Sequence, residues 1–296
     1  MTVMERFSLG PFPVARIGFG AMQLPGPGVF GPPRDRDEAL TVLRRAVELG
    51  ANHIDTAQYY GPNVANELIR EALYPYPDDL AIVSKVGACR DGTGAWLPAD
   101  EPDELRRGIE DNLQTLGVDQ LAAVNLRVMD SDAADPGQPG QLRRERFGAQ
   151  LTAMVKARDE GLIAGIGLSN ITREHLLFAL QRTGIVCVQN AYNLIDRSSR
   201  PVLDECTARG IAFVPFFPLG SGFAHDNPVL GNDLVNRTAA RMGRTPAQVV
   251  LAWTLTVAPN VLLIPGTSSL RHLEENMAVA GIELDDDTRR QLSALA

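Results

Sequence analysis

Short apolar, β-branched runs alternate with amphipathic stretches along the whole chain. The runs at 15–19, 52–55, 81–86, 121–127, 163–167, 185–189, 211–216 and 261–264 read as strands. Between them, apolar positions recur at helical spacing near 36–49, 64–73, 102–116, 146–159, 172–181, 199–208 and 246–257, and a last helix is expected from about 269 to 279. The first helix carries its own boundaries. Asp35 caps it with Glu38 three residues on, Leu40, Leu43 and Val47 share a face, and Gly50 ends it. Another opens on Thr245-Pro246, a capping hydroxyl followed by proline at the first helical position. Eight strands in strict alternation with helices predict a parallel sheet with right-handed crossovers, and eight such units close a (β/α)8 TIM barrel, an α/β fold. A doubly wound sheet fits less well, because the first strand leads into Gly18-Phe19-Gly20-Ala21-Met22 and not into a GxGxxG turn. Phe7 to Val14, ahead of the first strand, reads as a hairpin. Nothing divides the chain: Asp130 to Gln141, rich in Asp, Gly and Pro, is a long loop that leaves the barrel intact, so residues 1–296 are expected to form one domain.

Composition narrows the class. A hydrophobic content of 45% is ample for a large core, yet no apolar run reaches the length of a membrane span. The N-terminus lacks the layout of a secretory signal, which makes a cytoplasmic protein the expectation. Cys89, Cys187 and Cys206 are too scattered for a disulfide framework, and no Cys/His cluster suggests a metal. A net charge of −8 argues against nonspecific nucleic-acid binding. The oligomeric state leaves no sequence signal.

Candidate chemistry gathers at strand ends. Lys85 is one of only two lysines and closes the run Ala81-Ile82-Val83-Ser84. Upstream, Ile54-Asp55-Thr56-Ala57-Gln58-Tyr59-Tyr60-Gly61 is another strand running into a polar loop. In a barrel both ends fall on the C-terminal rim, where active sites are built. Singly, Asp55 could cap a turn, Tyr60 could pack on the rim and Lys85 could be a solvated strand end. Jointly they suit acid–base work on a carbonyl or alcohol, with the ammonium expected to lower the Tyr60 pKa and the carboxylate to hold the ammonium in place.

The segment Gly50-Ala51-Asn52-His53-Ile54-Asp55-Thr56-Ala57, with Tyr60 following, resembles the hallmark of the aldo-keto reductase family, and the resemblance runs from Phe7 to Asn276. It implies a hairpin plugging the barrel bottom, a catalytic set of Asp55, Tyr60 and Lys85, and NADP(H) as cofactor. Cofactor contacts are implied at Gly20, Ala21, Met22 and Asp55, and at Ser169, Asn170 and Gln189, whose counterparts bond the carboxamide. Phe216 stands where the family commonly has a tyrosine stacked on the nicotinamide, with Leu219 and Gly220 beyond it. Gly266, Thr267, Ser268, Arg271, His272, Glu275 and Asn276 cover the stretch where the family places the adenosine 2′-phosphate and adenine. Glycine and hydroxyls at a helix start make an anion site in their own right, although Ser268 or Ser269 also fits a plain cap, as does Ser169-Asn170. The family often carries Lys and Arg where Gly266 and His272 stand, and NADPH over NADH is the expectation.

One departure matters. Eight residues past Asp119, at the end of the fourth strand, Arg127 stands where the family has its catalytic histidine. Arginine gives up no proton, but its fork can hold a carbonyl or phenolate oxygen. Either it faces the pocket in that role, favouring substrates with an anionic oxygen near the carbonyl, or it turns outward to Asp130 or Asp132. The segments 23–33 and 124–129 look like a bacterial branch near pyridoxal reductase-like members, which makes pyridoxal or another aromatic aldehyde the lead substrate. For the substrate walls, Asn63, Trp96, the 130–141 loop and the 221–230 segment are the candidates, whereas Trp253 reads as core. The leading expectation is an NADPH-dependent carbonyl reductase acting on a small molecule, with Tyr60 as proton donor. Two others stay open: an NADPH-binding sensor with weak turnover, and an aldolase using Lys85 as a Schiff-base lysine.

Overall fold

The computed structural model describes residues 5–129, 140–220 and 227–295, with side chains from 144 onward in the second stretch. Strands β1 (Arg6–Leu9) and β2 (Phe12–Ala15) form an antiparallel hairpin in the register Leu9↔Phe12 to Arg6↔Ala15. Its inward side chains Leu9 and Val14 join Ala81, Ala122, Cys187, Ala212 and Leu262 in one buried cluster, which puts the hairpin across the bottom of the barrel as expected. Seven parallel strands follow: β3 (Phe19–Gly20), β4 (His53–Asp55), β5 (Ala81–Arg90), β7 (Ala123–Arg127), β8 (Ile166–Ser169), β9 (Cys187–Ala191) and β10 (Ala212–Phe216). Residues 261–263 close the circle. Val261 bridges Phe213 and Leu263 bridges Ile17, both in parallel, and the Gly18 N–H donates to the Leu263 carbonyl at 2.8 Å.

Helices α1 (Arg36–Glu48), α2 (Val64–Leu73), α3 (Pro102–Leu116), α4 (Gly140–Asp159), α5 (Arg173–Leu180) and α6 (Arg200–Arg209) alternate with these strands and cover the barrel. The signals that named α1 are in place: the Asp35 side chain accepts from the Glu38 N–H, and Ala39, Leu40, Val42, Leu43 and Ala46 are buried. Helix α8 (Pro246–Thr256), after α7 (Asp233–Met242), begins with a reciprocal cap between Thr245 and Gln248, and α9 (Leu270–Met277) follows the last strand. Two side-chain layers result. Alternate positions such as Ala81, Val83 and Lys85 point into the barrel, while Ile82, Ser84 and Val86 face the helices.

The structure revises several boundaries. Strand β5 does not stop at 86; it leaves the barrel and pairs antiparallel with β6 (Trp96–Ala99), from Gly87↔Ala99 to Arg90↔Trp96. Gly87 allows the departure. Its φ is +107°, and a β-carbon there would sit 2.3 Å from the Arg127 carbonyl oxygen. Helix α4 begins earlier than 146, β8 and β9 lie two to three residues later than read, and α7 and α10 (Asp286–Ser293) went unread. The last two are short, with only three and two buried residues. Trp253 is core: it stacks on Tyr192 with centroids 6.4 Å apart, and its indole N–H donates to Ser293 Oγ in α10. Among the described residues no helix is long and apolar enough to cross a membrane.

Candidate active site

Asp55 ends β4 on the inward face, and the pairing Asp55↔Val83 puts Lys85 one inward position further up β5. The two form a buried ion pair, Lys85 Nζ to Asp55 Oδ1, with a second bond from Nζ to the Thr56 carbonyl at 3.1 Å. The amine is thereby held as a hydrogen-bonded cation, unlike the free amine that attacks a carbonyl to form a Schiff base, so the aldolase reading loses its nucleophile. Tyr60 lies over this pair, with Lys85 Nζ 5.0 Å from its ring centroid. Its loop is pinned on both sides, by the Tyr60 N–H to the Ala57 carbonyl at 3.0 Å and by the Gly61 N–H to the Val29 carbonyl at 3.2 Å.

Behind the rim, on the helix-facing side, a buried polar network clamps the same loop. Thr56 Oγ1 donates to Asn66 Oδ1 at 2.7 Å, Asn66 Nδ2 to Asn112 Oδ1 at 2.9 Å, and Ser84 Oγ to Asn112 Oδ1 at 2.6 Å. Asn112 Nδ2 reaches Gln58 Oε1 at 2.8 Å. Helices α2 and α3 thus fix Thr56 and Gln58, which flank the path from Asp55 to Tyr60, and Ser84, which precedes Lys85. Satisfied buried networks of this kind rigidify what they hold.

Electrostatics differ from the sequence expectation in one respect. Burial first, and the Asp55 carboxylate second, push the Tyr60 phenol above its ordinary value, while the Arg127 guanidinium pulls it down. The net shift is upward, against the lowering expected from the sequence. Tyr60 is therefore a neutral phenol in the resting site, with a proton to give and cations nearby for the oxyanion left behind.

These residues line a cavity of about 550 Å³ at the C-terminal rim, together with Gly20, Met22, Arg127, Gln189, Phe216, Leu219, Gly220 and Gly266. Arg127 thus borders the cavity, its guanidinium carbon 5.7 Å from the Phe216 centroid, and it makes no ion pair among the described residues. The alternative partners Asp130 and Asp132 lie outside the described residues, as do most of the 130–141 loop and residues 221–226. Trp96 lines the cavity too, held edge-on to Tyr59 at 5.4 Å and covered by Arg90 at 4.1 Å. Asn63 does not. It sits in a left-handed conformation at the start of α2, where its N–H donates to the Gln58 carbonyl at 2.7 Å. Sequence reading missed Tyr59, Gln23 and Met129 on the cavity wall, whereas Asn227 belongs to the 221–230 segment named as a candidate. Only Tyr59 left a trace, as the first of an adjacent tyrosine pair.

The fit of a nicotinamide rests on two atoms. Ser169 Oγ and Gln189 Oε1 are buried without partners, and the strand register sets these residues side by side. Gln189 Nε2 donates to Asp55 Oδ2, which joins this corner to the ion pair. An amide group offers the donor and acceptor these two atoms lack, and the Phe216 ring beside the cavity offers a stacking face. Asn170, in the left-handed region at φ +58°, has its amide N–H on the Val128 carbonyl at 2.7 Å. Gly20 and Gly266 approach so closely that a β-carbon on Gly266 would lie 2.4 Å from the Gly20 carbonyl oxygen. Ala21 is buried, and Ser268 borders a second cavity of about 600 Å³ between the 22–38 segment and the start of α9. Thr267, Arg271, His272, Glu275 and Asn276 line neither cavity. Thr267 Oγ1 accepts from the Ser269 N–H at 3.0 Å, and exposed Arg271 pairs with Glu275 at 2.8 Å.

The model of the aldo/keto reductase family matches residues 16–296. The chain is 50% identical over 290 residues to pyridoxine 4-dehydrogenase of Escherichia coli strain K12, covering 98% of each. Among solved structures, a thermostable aldo-keto reductase in complex with the inhibitor epalrestat superposes with a TM-score of 0.80 at 30% identity, covering 99% of this chain and 100% of that one. An aldo-keto reductase from Klebsiella pneumoniae in complex with NADPH does so with a TM-score of 0.77 at 25% identity, covering 96% of this chain and 91% of that one.

Proposed function

The chain belongs to the aldo/keto reductase family, and from that premise we propose that it is an NADPH-dependent cytoplasmic oxidoreductase interconverting an aldehyde with its alcohol, with pyridoxal and kindred aromatic aldehydes as the substrate class. The observation that carries the reading is the buried Asp55–Lys85 pair beside Tyr60, in the same cavity as the orphaned amide oxygen of Gln189. The name of the E. coli relative supports the substrate class, and the Klebsiella complex supports the cofactor. NADPH, when bound, supplies the hydride that reduces the carbonyl carbon.

Ser169 and Gln189 would hold the carboxamide, and Phe216 would back the ring. Tyr60 gives its proton to the carbonyl oxygen. The phenolate it becomes is stabilised by the Lys85 ammonium and the Arg127 guanidinium, and Asp55 keeps the ammonium charged and in place. In the direction of alcohol oxidation Tyr60 takes the proton back. At the far end, Ser268 and Arg271 would hold the adenosine 2′-phosphate.

Tyr60→Phe tests the assignment. It keeps the ring over Lys85 and removes only the proton, so turnover is expected to fall by a factor on the order of 10²–10⁴ while NADPH affinity, read by fluorescence titration, stays near that of the wild type. Turnover close to wild type would remove Tyr60 from the proton-donor role. NADPH bound tightly but oxidised by no carbonyl in a single-turnover panel would identify a sensor instead.

A further inference from the structure

Tyr59 has no part in the chemistry above. It lines the same cavity, is almost fully buried, and its hydroxyl has no hydrogen-bond partner. A buried phenol left unpaired costs on the order of 1–3 kcal/mol relative to one that is satisfied. The position is not adjustable: the ring meets Tyr60 edge-on with centroids 5.4 Å apart and meets Trp96 in the same way at 5.4 Å. The hydroxyl stays protonated, since burial, Tyr60 and Asp55 together outweigh the pull of Lys85 and Arg127. It is therefore a fixed donor waiting for an acceptor.

The charge around it says which acceptor. Lys85 is neutralised by Asp55, whereas Arg127 makes no ion pair among the described residues and borders the same cavity. Both cations lie within electrostatic reach of the Tyr59 phenol. Among the described residues the cavity thus carries a guanidinium without an ion-pair partner and one unused donor, with Trp96 and Phe216 on its wall. A carbonyl seated at Tyr60 brings its neighbouring substituent toward the adjacent tyrosine.

We propose that Tyr59 is a specificity-determining residue, whose hydroxyl, with Arg127, receives an acidic hydroxyl or oxyanion borne on a planar aromatic ring next to the reacting carbon. The proposal rests on the reading of this cavity as a carbonyl-reducing site and names the substrate feature it selects. Equilibrium binding keeps the two apart, because it needs no turnover.

The probes are 2-hydroxybenzyl alcohol, 2-methoxybenzyl alcohol and benzyl alcohol, titrated into wild-type protein and into Tyr59→Phe by calorimetry. The hydroxylated probe is expected to bind the wild type about ten-fold more tightly than either of the others, the scale of one hydrogen bond that satisfies a buried group. In Tyr59→Phe, which keeps the ring and both edge contacts, that ratio is expected to fall below about two-fold. A wild type that does not discriminate overturns the proposal, as does a variant that keeps the wild-type ratio. Should Tyr59→Phe prove unstable, Arg127→Gln provides the second measurement. It should erase most of the gain in hydroxyl preference that appears as pH rises and the probe ionises, and an unchanged pH dependence overturns the role of the pair. Absence of turnover with the matching aldehydes would count against the reductase reading alone.

Discussion

The two sides of the rim are built on opposite principles. Between β4 and β5 the ion pair and the network behind it have protein partners: Lys85 holds Asp55 and the Thr56 carbonyl, and Asn112 ties Ser84, Gln58 and Asn66 together behind them. At the ends of β8 and β9, Ser169 Oγ and Gln189 Oε1 are buried and unpaired. The first side can be preorganised because the bonds that hold Asp55, Lys85 and Ser84 are made within the chain. The second is complete only when something else supplies the missing partners. Gln189 belongs to both, giving its N–H to Asp55 and keeping its oxygen free.

The hardest way to break this contrast is Lys85→Met, which leaves Asp55 as a buried charge without its cation. A stability loss of about 3–5 kcal/mol is expected in urea unfolding at neutral pH, along with loss of turnover. A loss under about 1 kcal/mol at neutral pH would mean that the pair contributes little to holding the rim.

A second test reaches the layer beneath. His53 faces the barrel interior one inward position below Asp55, with both ring nitrogens unpaired and a β-carbon on Gly18 only 2.4 Å from its ring. Burial lowers its pKa from 6.5 to about 4. A histidine held neutral in the folded state costs nothing above its unfolded pKa. Below it the unfolded chain gains a proton that the native state refuses, so stability falls between pH 6.5 and 4, by about 3 kcal/mol from this group. Urea unfolding of the wild type against His53→Phe should isolate that slope, and parallel curves would show that His53 is protonated without cost.

The smallest effect is the sharpest probe of the unfinished side. Ser169→Ala deletes a hydroxyl that bonds to nothing in the chain, so stability should change by less than about 0.5 kcal/mol. NADPH affinity should weaken about ten-fold, the worth of one hydrogen bond. Destabilisation with unchanged NADPH affinity would reverse the roles given to the two sides.

Much of the fold was legible because its signals are local. The Asp35 cap, the Thr245-Pro246 start and the apolar faces of the long helices follow from spacing within one or two turns, and eight alternations lead to a barrel. The extension of β5 past Lys85 was hidden, because residues 87–90 carry no strand pattern of their own and pair only with 96–99, across a turn. Helices α7 and α10 were not read, although Leu234, Val235, Ala239 and Met242 recur at helical spacing in the first. Asp55, Tyr60 and Lys85 could be named as candidates from strand ends and family likeness, but their electrostatics could not. The Tyr60 phenol rises because the assembled cavity removes water from it, and no local pattern encodes that.

By itself, the sequence determined the alternation, the barrel, the family and the residue types available at the rim, since periodicity and chain order set which side chains arrive at the C-terminal ends. Only the tertiary structure decided which of those side chains find partners. Lys85 and Asp55 are thirty residues apart, Gln189 and Asp55 far more, and a hydrogen bond or its absence depends on atoms meeting within about 3 Å. That is why Tyr59, unremarked beside Tyr60 in the chain, becomes the unpaired donor of the cavity, and why Arg127 borders the pocket. Both outcomes depend on distant strands packing together around these groups.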